Sequence, residues 1–361
     1  MPTADQFPVK WMHSGMPRAP QLTLADGDLV AILDALLVTG WGAMTPQRVH
    51  VRDGVATVTC DVGDTFEQHT VIELTGAEQA ALNGQHRVLT SGATSFTFAT
   101  EAPDGYATGT ISIKAAPAGW EKVFAGVNKA VYRSTAPTGS GVCYRVEGKF
   151  ARGYLSMSDV DTRDYPFPAE GEHYFHNNIG GAPFQYNVFS DGAAVIFAAQ
   201  FRNTDATRPP AFFGELAPFT SGLGALSREA LCFPIWGSGN QGALKQAVSS
   251  FFAPSIDSVG ASTQTSAIFA TLDALETTCA EQGALVFSRA LSGDRSQIRG
   301  FVPGLFSCLS EDALSYASTN DTVRAQIDGK ERTLLLVPRN DAGTFYDPAA
   351  IYGVDITGPW R

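Results

Sequence analysis

Two histidines three residues apart form the pattern in this sequence that is closest to a metal site. His173 and His176 lie beside Glu170 and Glu172, and imidazole and carboxylate groups are common metal ligands. On an extended strand, residues three apart point to opposite faces, so both rings could reach one ion only across a bend. No cysteine lies nearby as a third ligand. Ordinary, partly exposed histidines are the favoured interpretation, and we predict no metal or other cofactor.

The segment that begins at Asp159 is similar to the start of a calcium-binding loop. Asp159 and Asp161 have the required spacing, and Glu170 lies at the twelfth position. The pattern then fails, because Arg163 occupies the fifth position and Asp164 stands where the loop needs glycine. Two prolines also stiffen a segment that would have to curl. A loop in which Arg163 pairs with a nearby carboxylate is the favoured interpretation.

Signatures of acyl transfer and of phosphate binding are missing from the sequence. There is no G-x-S-x-G motif, and the glycine-rich residues 237–242 are not followed by Lys-Ser or Lys-Thr. A pair of carboxylates that cleaves a glycoside remains an open possibility, since the two partners can be distant in sequence. Asp159, Asp161 and Glu172 are candidates without a distinguishing spacing. We predict that the chain is not an enzyme, with a polysaccharide-degrading enzyme as the least favoured alternative.

Composition limits the class of protein and its partners. The 361 residues are 44% hydrophobic and 17% charged, which is enough apolar material for two or three packed domains. A formal net charge of −11 argues against nucleic acid and anionic membranes as main partners. The sequence has no run of about 18 apolar residues, so we do not predict membrane insertion. The N-terminus lacks the pattern of a secretory signal, so we expect a protein made and kept in the cytoplasm, or assembled there into a particle.

Cysteine usage agrees with a reducing compartment. The sequence has five cysteines, none in a C-x-x-C pair, so neither a zinc ribbon nor a redox site is indicated. We expect each to be a small buried side chain. They are Cys60, Cys143, Cys232, Cys279 and Cys308.

Residues 1–45 are predicted to form an arm followed by a helix. The first 22 residues are rich in proline and irregular, which is typical of an arm that packs on a neighbour or on its own domain. A broad apolar face from Leu29 to Leu37 indicates the helix. Asp26 or Asp28 is the expected N-terminal cap, and Gly40 lies where the helix should end.

Residues 46–116 show the two-residue hydrophobic period of short β-strands. Asp53-Gly54 predicts a tight hairpin, and further turns are expected at residues 83–84, 91–92 and 104–105. Several short strands separated by such turns indicate a small all-β module, either a β-sandwich or a barrel.

Residues 117–361 are predicted to form a larger, mixed, β-rich domain. Helical spacing of apolar residues predicts two helices, at residues 243–252 and 266–282. The fold class is therefore mainly β with a few helices. Strands are expected at residues 129–134, 141–148, 152–160, 193–202, 212–216, 284–289, 333–338 and 351–357.

Several segments resemble a family of virion structural proteins of tailed bacteriophages and prophages. Residues 119–134 read GWEKVFAGVNKAVYRS, residues 152–162 read RGYLSMSDVDT, and residues 165–168 read YPFP. Residues 74–99 are similar to small β domains that recur in phage tail and fibre proteins. The helix that runs into Gly40-Trp41-Gly42, and residues 354–361, resemble the family's opening and closing segments.

The resemblance implies a structural role and no catalytic residues. It predicts a virion component, assembled in the host cytoplasm by contacts with other virion proteins and with copies of itself. The acidic charge suggests an outer or tail position rather than one next to packaged DNA in the capsid lumen. A tail-tip or baseplate position is favoured over one on the head surface. Trp41, Trp120 and Trp360 would be packing anchors. The predicted contact surfaces are Trp11, Met16 and Pro17 in the arm, and Asp159, Asp161, Arg163 and Tyr165 in the loop that ends at Pro168.

Two related interpretations stay open at this stage. One is a receptor- or carbohydrate-binding module, in which Tyr165, Tyr174 or Trp236 would stack on the sugar rings of a host-surface glycan. The other is a decoration or fibre protein on the surface of the head. In neither case do we expect nucleic acid as a partner.

Overall fold

A computed structural model gives the fold of the chain. It describes residues 7–136 apart from 24, residues 141–159 apart from 142, 149, 155 and 156, residues 183–200, 208, 321 and 356–360, and the strands named below. For 150–154, 159 and most strands after residue 200, the description is limited to the backbone. The protein is mainly β, with 53% of its residues in strands and 9% helical, as the sequence predicts.

The N-terminal arm contains a strand, and the first helix follows it. The strand is β1 (Lys10–His13), and the helix is α1 (Asp28–Leu33). A π-helical turn continues α1 over Asp34–Thr39, and Gly40 ends it with a φ of 74°. That positive φ is readily adopted by glycine, which has no Cβ. The predicted helix and its end are therefore confirmed.

The predicted cap of this helix is wrong. Gly27 occupies the N-cap position, and no side chain makes a capping hydrogen bond. Asp28 instead lies one residue further on, where its carboxylate accepts hydrogen bonds from the backbone N–H (2.6 Å) and the hydroxyl (2.5 Å) of Thr23. The acidic side chain thus fixes the chain that enters the helix.

Residues 41–115 form one eight-stranded antiparallel sheet, here called the module sheet. Its spatial order is β2-β9-β5-β6-β7-β4-β3-β8. Asp53 and Gly54 have φ values of 51° and 74°, as a two-residue hairpin turn between β3 and β4 requires. Whether the module is a sandwich or a barrel stays a prediction. The strands are β2 (Trp41–Met44), β3 (Arg48–Arg52), β4 (Val55–Thr59), β5 (Val71–Ala77), β6 (Gly84–Ser91), β7 (Ser95–Ala99), β8 (Gly105–Tyr106) and β9 (Gly109–Ala115).

A five-stranded antiparallel sheet follows the module sheet in the chain, with its strands adjacent in sequence order. The first two strands form a hairpin that packs against the π-helical turn. The strands are β10 (Glu121–Gly126), β11 (Lys129–Arg133), β12 (Cys143–Glu147), β13 (Phe150–Tyr154) and β14 (His173–Tyr174).

A six-stranded sheet, here called the buried sheet, joins the arm to the middle of the chain. Its order is β1-β15-β16-β17-β20-β22, so the arm strand is its first strand. Two short strands, β18 and β19, pair with each other. The strands introduced here are β15 (Tyr186–Ser190), β16 (Ala194–Ala199), β17 (Pro210–Glu215), β18 (Thr220–Ser221), β19 (Gly224–Ala225), β20 (Ala230–Pro234), β21 (Ala247–Val248) and β22 (Ser250–Phe251).

A seven-stranded sheet contains the last strands of the chain, in the order β21-β23-β24-β25-β28-β27-β26. The remaining strands are β23 (Gln264–Phe269), β24 (Gly283–Arg289), β25 (Ser296–Cys308), β26 (Thr322–Ile327), β27 (Lys330–Pro338) and β28 (Ile351–Asp355).

Both helices predicted for this part are wrong where the structure describes them. Residues 247–248, 250–251 and 264–269 are strands, and the rest of the two predicted helices lies outside the described residues. Short apolar runs do not by themselves distinguish a buried strand from a helix. Here β23 pairs with β24 along its whole length, and that pairing decides the conformation.

The core is one cluster of buried apolar side chains that extends from the arm through the module sheet to the C-terminal segment. Trp41, Trp120 and Trp360 are all buried in it, as packing anchors should be. Cys60 and Cys143 are buried, as the sequence predicts for them. No helix within the described residues is long and apolar enough to cross a membrane. The domain boundaries after residues 45 and 116 stay a prediction.

Candidate functional site

The arm residues that we expected to form a contact surface lie mostly inside the chain's own fold. Trp11 is 2% exposed, Met16 is 5% exposed, and Pro17 is half-buried. Trp11 lies opposite Phe189 in the buried sheet, and its indole N–H donates to the carbonyl oxygen of His69 at 3.4 Å. Of the two arrangements expected for the arm, the structure shows packing on its own chain. The expectation that Trp11 and Met16 form an exposed surface is therefore corrected.

The second expected contact surface falls almost entirely outside the described residues. Asp159 ends a 3-10 turn over Met157–Asp159, and the structure describes its backbone alone. The metal, calcium, glycosidase and sugar-stacking predictions made for this part of the chain thus stay predictions. Within the described part, no three His, Cys, Asp or Glu side chains are grouped to hold a metal ion. The residues outside the description are Asp161, Arg163, Asp164, Tyr165, Glu170, Glu172, His176 and Trp236; of His173 and Tyr174 it gives the backbone.

Arg87 joins three segments that are far apart in sequence. It lies on β6, and its Nη1 donates to the carbonyl oxygens of His69 (3.1 Å) and Ile356 (2.7 Å). Its Nη2 donates to the carbonyl oxygen of Thr357 at 3.3 Å. The guanidinium carbon also lies 5.2 Å from the ring centre of Phe7, within the range of a cation–π contact. One side chain thus ties the module sheet to the arm and to the C-terminal segment.

The C-terminal segment folds back after β28. The Asp355 carboxylate accepts hydrogen bonds from the backbone N–H groups of Thr357 (2.8 Å) and Gly358 (3.0 Å). The indole N–H of Trp360 donates to the carbonyl oxygen of Asp355 at 2.8 Å. Gly304 on β25 has a φ of 72°, and a Cβ at that position would overlap the Trp360 ring. The segment therefore depends on a glycine that leaves room for an aromatic ring.

Asp34, in the π-helical turn, ties the first helix to the β10–β11 hairpin. Its carboxylate accepts one hydrogen bond from the Tyr132 hydroxyl (2.8 Å) and one from the Lys122 ammonium (2.7 Å). Burial raises the pKa of Tyr132, and the negative charge of Asp34 raises it further. The phenol therefore keeps its proton and donates a hydrogen bond to Asp34. The neutral phenol is a hydrogen-bond donor that joins the β10–β11 hairpin to the π-helical turn.

His13 connects the arm to the module at a second point. Its ring Nδ1 accepts a hydrogen bond from the backbone N–H of Gly15 at 3.0 Å. The ring proton of a neutral His13 is therefore on Nε2, which donates to the Glu67 carboxylate at 3.0 Å. The contacts of Arg87, Asp355, Asp34 and His13 are all directed at other parts of the same chain.

An exposed surface of different character lies at the edge of the module sheet. Tyr106, on the edge strand β8, is 61% exposed and lies opposite His50 of β3. The two ring centres are 4.6 Å apart. The guanidinium carbon of Arg48 lies 5.7 Å from the Tyr106 ring centre. Arg52 is also exposed and shares this side of β3, because alternate residues of a strand share a face. We call these four residues the Tyr106 surface.

A row of hydroxyl groups continues the Tyr106 surface across the sheet. The register places His50 opposite Thr57, and Thr57 opposite Thr97. Thr97 in turn shares a hydroxyl–hydroxyl hydrogen bond of 2.7 Å with Thr90. The opposite face of the same strands buries Val49, Val51, Ala56, Val58, Phe96 and Phe98.

The sequence interpretation missed the Tyr106 surface. Its signal is present in β3, where the polar residues Arg48, His50 and Arg52 alternate with two valines. That alternation predicts a solvated face. The contribution of Tyr106 could not be predicted, because it depends on which strand occupies the edge beside β3.

Comparisons with known proteins add no family and no structural relative. No protein-family model, no curated protein and no solved structure matches this chain. The resemblance to virion proteins therefore rests on the quoted residues, and it stays a prediction.

Proposed function

We propose that this chain is a structural component of a tailed-phage virion, positioned in the tail tip or baseplate. It acts through contacts with other virion proteins and with copies of itself. The observation that carries the proposal is the position in the fold of the segments that resemble virion proteins. Their polar side chains join distant parts of the chain, which is what a rigid building block requires.

The segment 119–134 illustrates this use. The indole N–H of Trp120 donates to the Ser190 hydroxyl at 3.1 Å, and its ring packs edge-on against Phe213 of the buried sheet at 5.7 Å. Tyr132, in the same segment, holds Asp34. Arg87, in the resembling part of the module, and Asp355, in the closing segment, make the joints described above. These contacts give the segments a structural reason for their particular residues.

One residue of the same segment points outward instead. Val127, at the tip of the β10–β11 hairpin, is 83% exposed. Asn128 beside it has a φ of 56°, which the hairpin turn requires and which asparagine tolerates. An exposed apolar side chain at a hairpin turn suits a contact with another subunit, where it would be removed from water. We therefore place an assembly contact at this hairpin tip.

Immunogold labelling of intact particles tests the position directly. Particles released by the strain that encodes the chain are labelled with antibody raised against the purified protein. The proposal expects gold at the distal end of the tail. Gold spread over the head would overturn the tail-tip position in favour of a decoration or fibre role. Particles that carry neither gold nor peptides of this chain would overturn the virion assignment.

A second candidate function is the binding of a host-surface glycan. One observation favours it, namely the exposed aromatic ring of Tyr106 beside a guanidinium group and a row of hydroxyls. Exposed tyrosine rings offer a flat apolar face together with a polar end, and both are suited to a sugar ring. The residues first expected to stack on sugars, Tyr165, Tyr174 and Trp236, are not needed for this candidate.

A further inference from the structure

We propose that the Tyr106 surface binds an acidic saccharide of the uronic acid type, with the sugar ring stacked on Tyr106 and its carboxylate held by Arg48. This inference develops the glycan-binding candidate and needs no assumption about the position of the chain in a particle. It is carried by three features of the surface, which are its exposed aromatic ring, the guanidinium of Arg48, which is unpaired within the described residues, and its hydroxyl row.

More than half of the surface of Tyr106 is exposed to solvent. Tyr106 lies on the edge strand β8 and is 61% exposed, although an aromatic ring of this size is ordinarily at least partly covered. The His50 ring lies 4.6 Å from the Tyr106 ring and is tilted by 41°, and the Arg48 guanidinium carbon lies 5.7 Å from the ring centre. The negative face of an aromatic ring attracts the C–H groups of a pyranose, which carry partial positive charge.

Two arginines lie on this surface although the chain as a whole is acidic, and the Asp53 and Asp104 carboxylates lie at the Arg52 end. Arg48 and Arg52 flank His50 on the same face of β3, in a chain of net charge −11. Arg52 has an exposed carboxylate nearby, Asp53, at 3.4 Å. Within the described part of the chain, Arg48 has the Tyr106 ring as its neighbour and no carboxylate in salt-bridge range. A guanidinium group so placed can bind a carboxylate through two parallel hydrogen bonds.

The hydroxyl row supplies the remaining polar contacts. Thr57 and Thr59 lie next to His50 and Arg48 in register, and both are half-buried with their side chains on the open face. Hydroxyl groups donate and accept, so they can pair with sugar hydroxyls in either sense. The surface thus offers, side by side, a stacking ring, an anion-binding group and neutral hydrogen-bonding groups.

A second copy of the chain is the alternative occupant, and the charge argues against it. Two such surfaces packed face to face would bring the two arginines of each copy into one interface. Like charges that approach in an interface repel one another. An acidic ligand has the complementary charge, and for this reason we commit to it.

The test is isothermal titration calorimetry of the full chain at low salt. The ligands are short oligomers of galacturonate, guluronate and glucuronate, each compared with its methyl ester, which has the same ring and no charge. The inference expects at least one acid to bind and its ester to bind at least about tenfold more weakly, as the loss of a charge-assisted contact implies. No binding of any acid, or equal binding of acid and ester, would overturn it.

Variants locate the binding. Tyr106→Ala and Arg48→Gln should each weaken binding about tenfold, whereas Tyr106→Phe, which keeps the ring, should bind like the wild type. Arg324→Gln is the matched control, since Arg324 is an exposed arginine on the edge strand β26 of another sheet. Unchanged binding by Tyr106→Ala would overturn the assignment to this surface. A self-association of the wild type that Tyr106→Ala abolishes, without saccharide binding, would overturn it in favour of a second copy. Both results are independent of the immunogold labelling, which tests the position of the chain in the virion.

Discussion

The module sheet and the buried sheet differ in how they use their two faces. In β3 and β4 of the module sheet, buried and open residues alternate. In β15 and β16 of the buried sheet every residue is buried. Both sheets are antiparallel, and antiparallel sheets commonly keep one face in water. The buried sheet departs from that habit because protein covers both of its sides.

The contacts show what covers each side of the buried sheet. Trp120 donates to Ser190 and packs on Phe213 on one side. Trp11 lies opposite Phe189 on the other side, where it reaches the carbonyl oxygen of His69 in the module. Neighbouring residues of a strand point to opposite faces, so Ser190 and Phe189 mark the two sides. A sheet covered in this way holds segments together, whereas a sheet with an open face can present a binding surface.

The largest expected effect comes from breaking the buried sheet at its first strand. Trp11→Ala should lower the free energy of unfolding by about 3–5 kcal/mol, because it leaves a cavity between the arm and the module. Urea unfolding measures the change. Val62→Ala, at a valine that is 80% exposed, is the control and should stay within about 0.5 kcal/mol of the wild type.

If Trp11→Ala fails to fold, Trp11→Phe serves as the milder change. It should lower the free energy of unfolding by more than Val62→Ala does. A change at Trp11 no larger than that at Val62 would show that the arm strand is not part of a covered sheet.

The joint at Arg87 should give the next largest loss. Arg87→Ala removes the donors that reach His69, Ile356 and Thr357, at an expected cost of about 2 kcal/mol. Arg87→Lys should rescue little, because an ammonium group cannot reproduce the fork of a guanidinium. Limited proteolysis gives a local measurement, since the C-terminal segment should be cut faster in both variants. Full rescue by lysine would contradict the joint, and Arg48→Gln, at an exposed arginine of the same sheet, is the control.

Acid should weaken the module through His86. Burial lowers the pKa of His86 from its ordinary value of 6.5, and the neutral ring donates to the carbonyl oxygen of Leu82 at 2.8 Å. The unfolded chain therefore takes up a proton near pH 6.5 that the folded chain still rejects. The stability that neutral His86 contributes is fully present above about pH 6.5. It is lost as the pH falls from 6.5 towards the lower pKa of His86 in the folded chain.

The measurement is the urea midpoint followed from about pH 8 to about pH 5. The wild type should lose stability as the pH falls over this range. The loss should be smaller than that caused by Trp11→Ala or Arg87→Ala, since His86 is partly exposed to solvent. His86→Gln should show a flatter profile. His69 acts in the same direction, because burial and the nearby Arg87 lower its pKa, so some slope should persist. An unchanged slope in His86→Gln would rule out this assignment.

The smallest expected effect on stability comes from the open face of the module sheet. Tyr106→Ala and Arg48→Gln remove exposed side chains and should change the free energy of unfolding by about 0.5 kcal/mol or less. The same variants should have a large effect on saccharide binding. A large loss of stability at Tyr106 would mean that the surface is packed against other parts of the chain, and the contrast between the two sheets would fail.

The contrast also explains how much of the fold the sequence predicts. The β3–β4 hairpin could be predicted, because its open face gives a regular alternation and Asp53-Gly54 suits the turn. The place of the arm could not, since Lys10–His13 is buried on both sides and shows no alternation. Its partner, β15, begins some 170 residues later in the chain, so no local signal links the two.

The candidate site was less predictable than the fold, for a related reason. Trp11 and Met16 have the composition of a contact surface, but aromatic and apolar side chains in an arm serve equally well as core once the arm becomes a strand. The Tyr106 surface joins residues of β3 and β8, which are separated by some 50 residues and meet through the topology of the sheet. Residue types alone do not show that β3 and β8 pair with each other.

Quantitative mass spectrometry of purified particles tests the central claim, that this chain is part of a virion, most directly. Particles from the strain that encodes the chain are compared with particles from the same strain after deletion of its gene, and both are purified by density gradient. We predict peptides of this chain at a constant ratio to the major particle proteins through the gradient peak. Absence of the peptides from the peak, with the chain left in the soluble fraction, would contradict the claim.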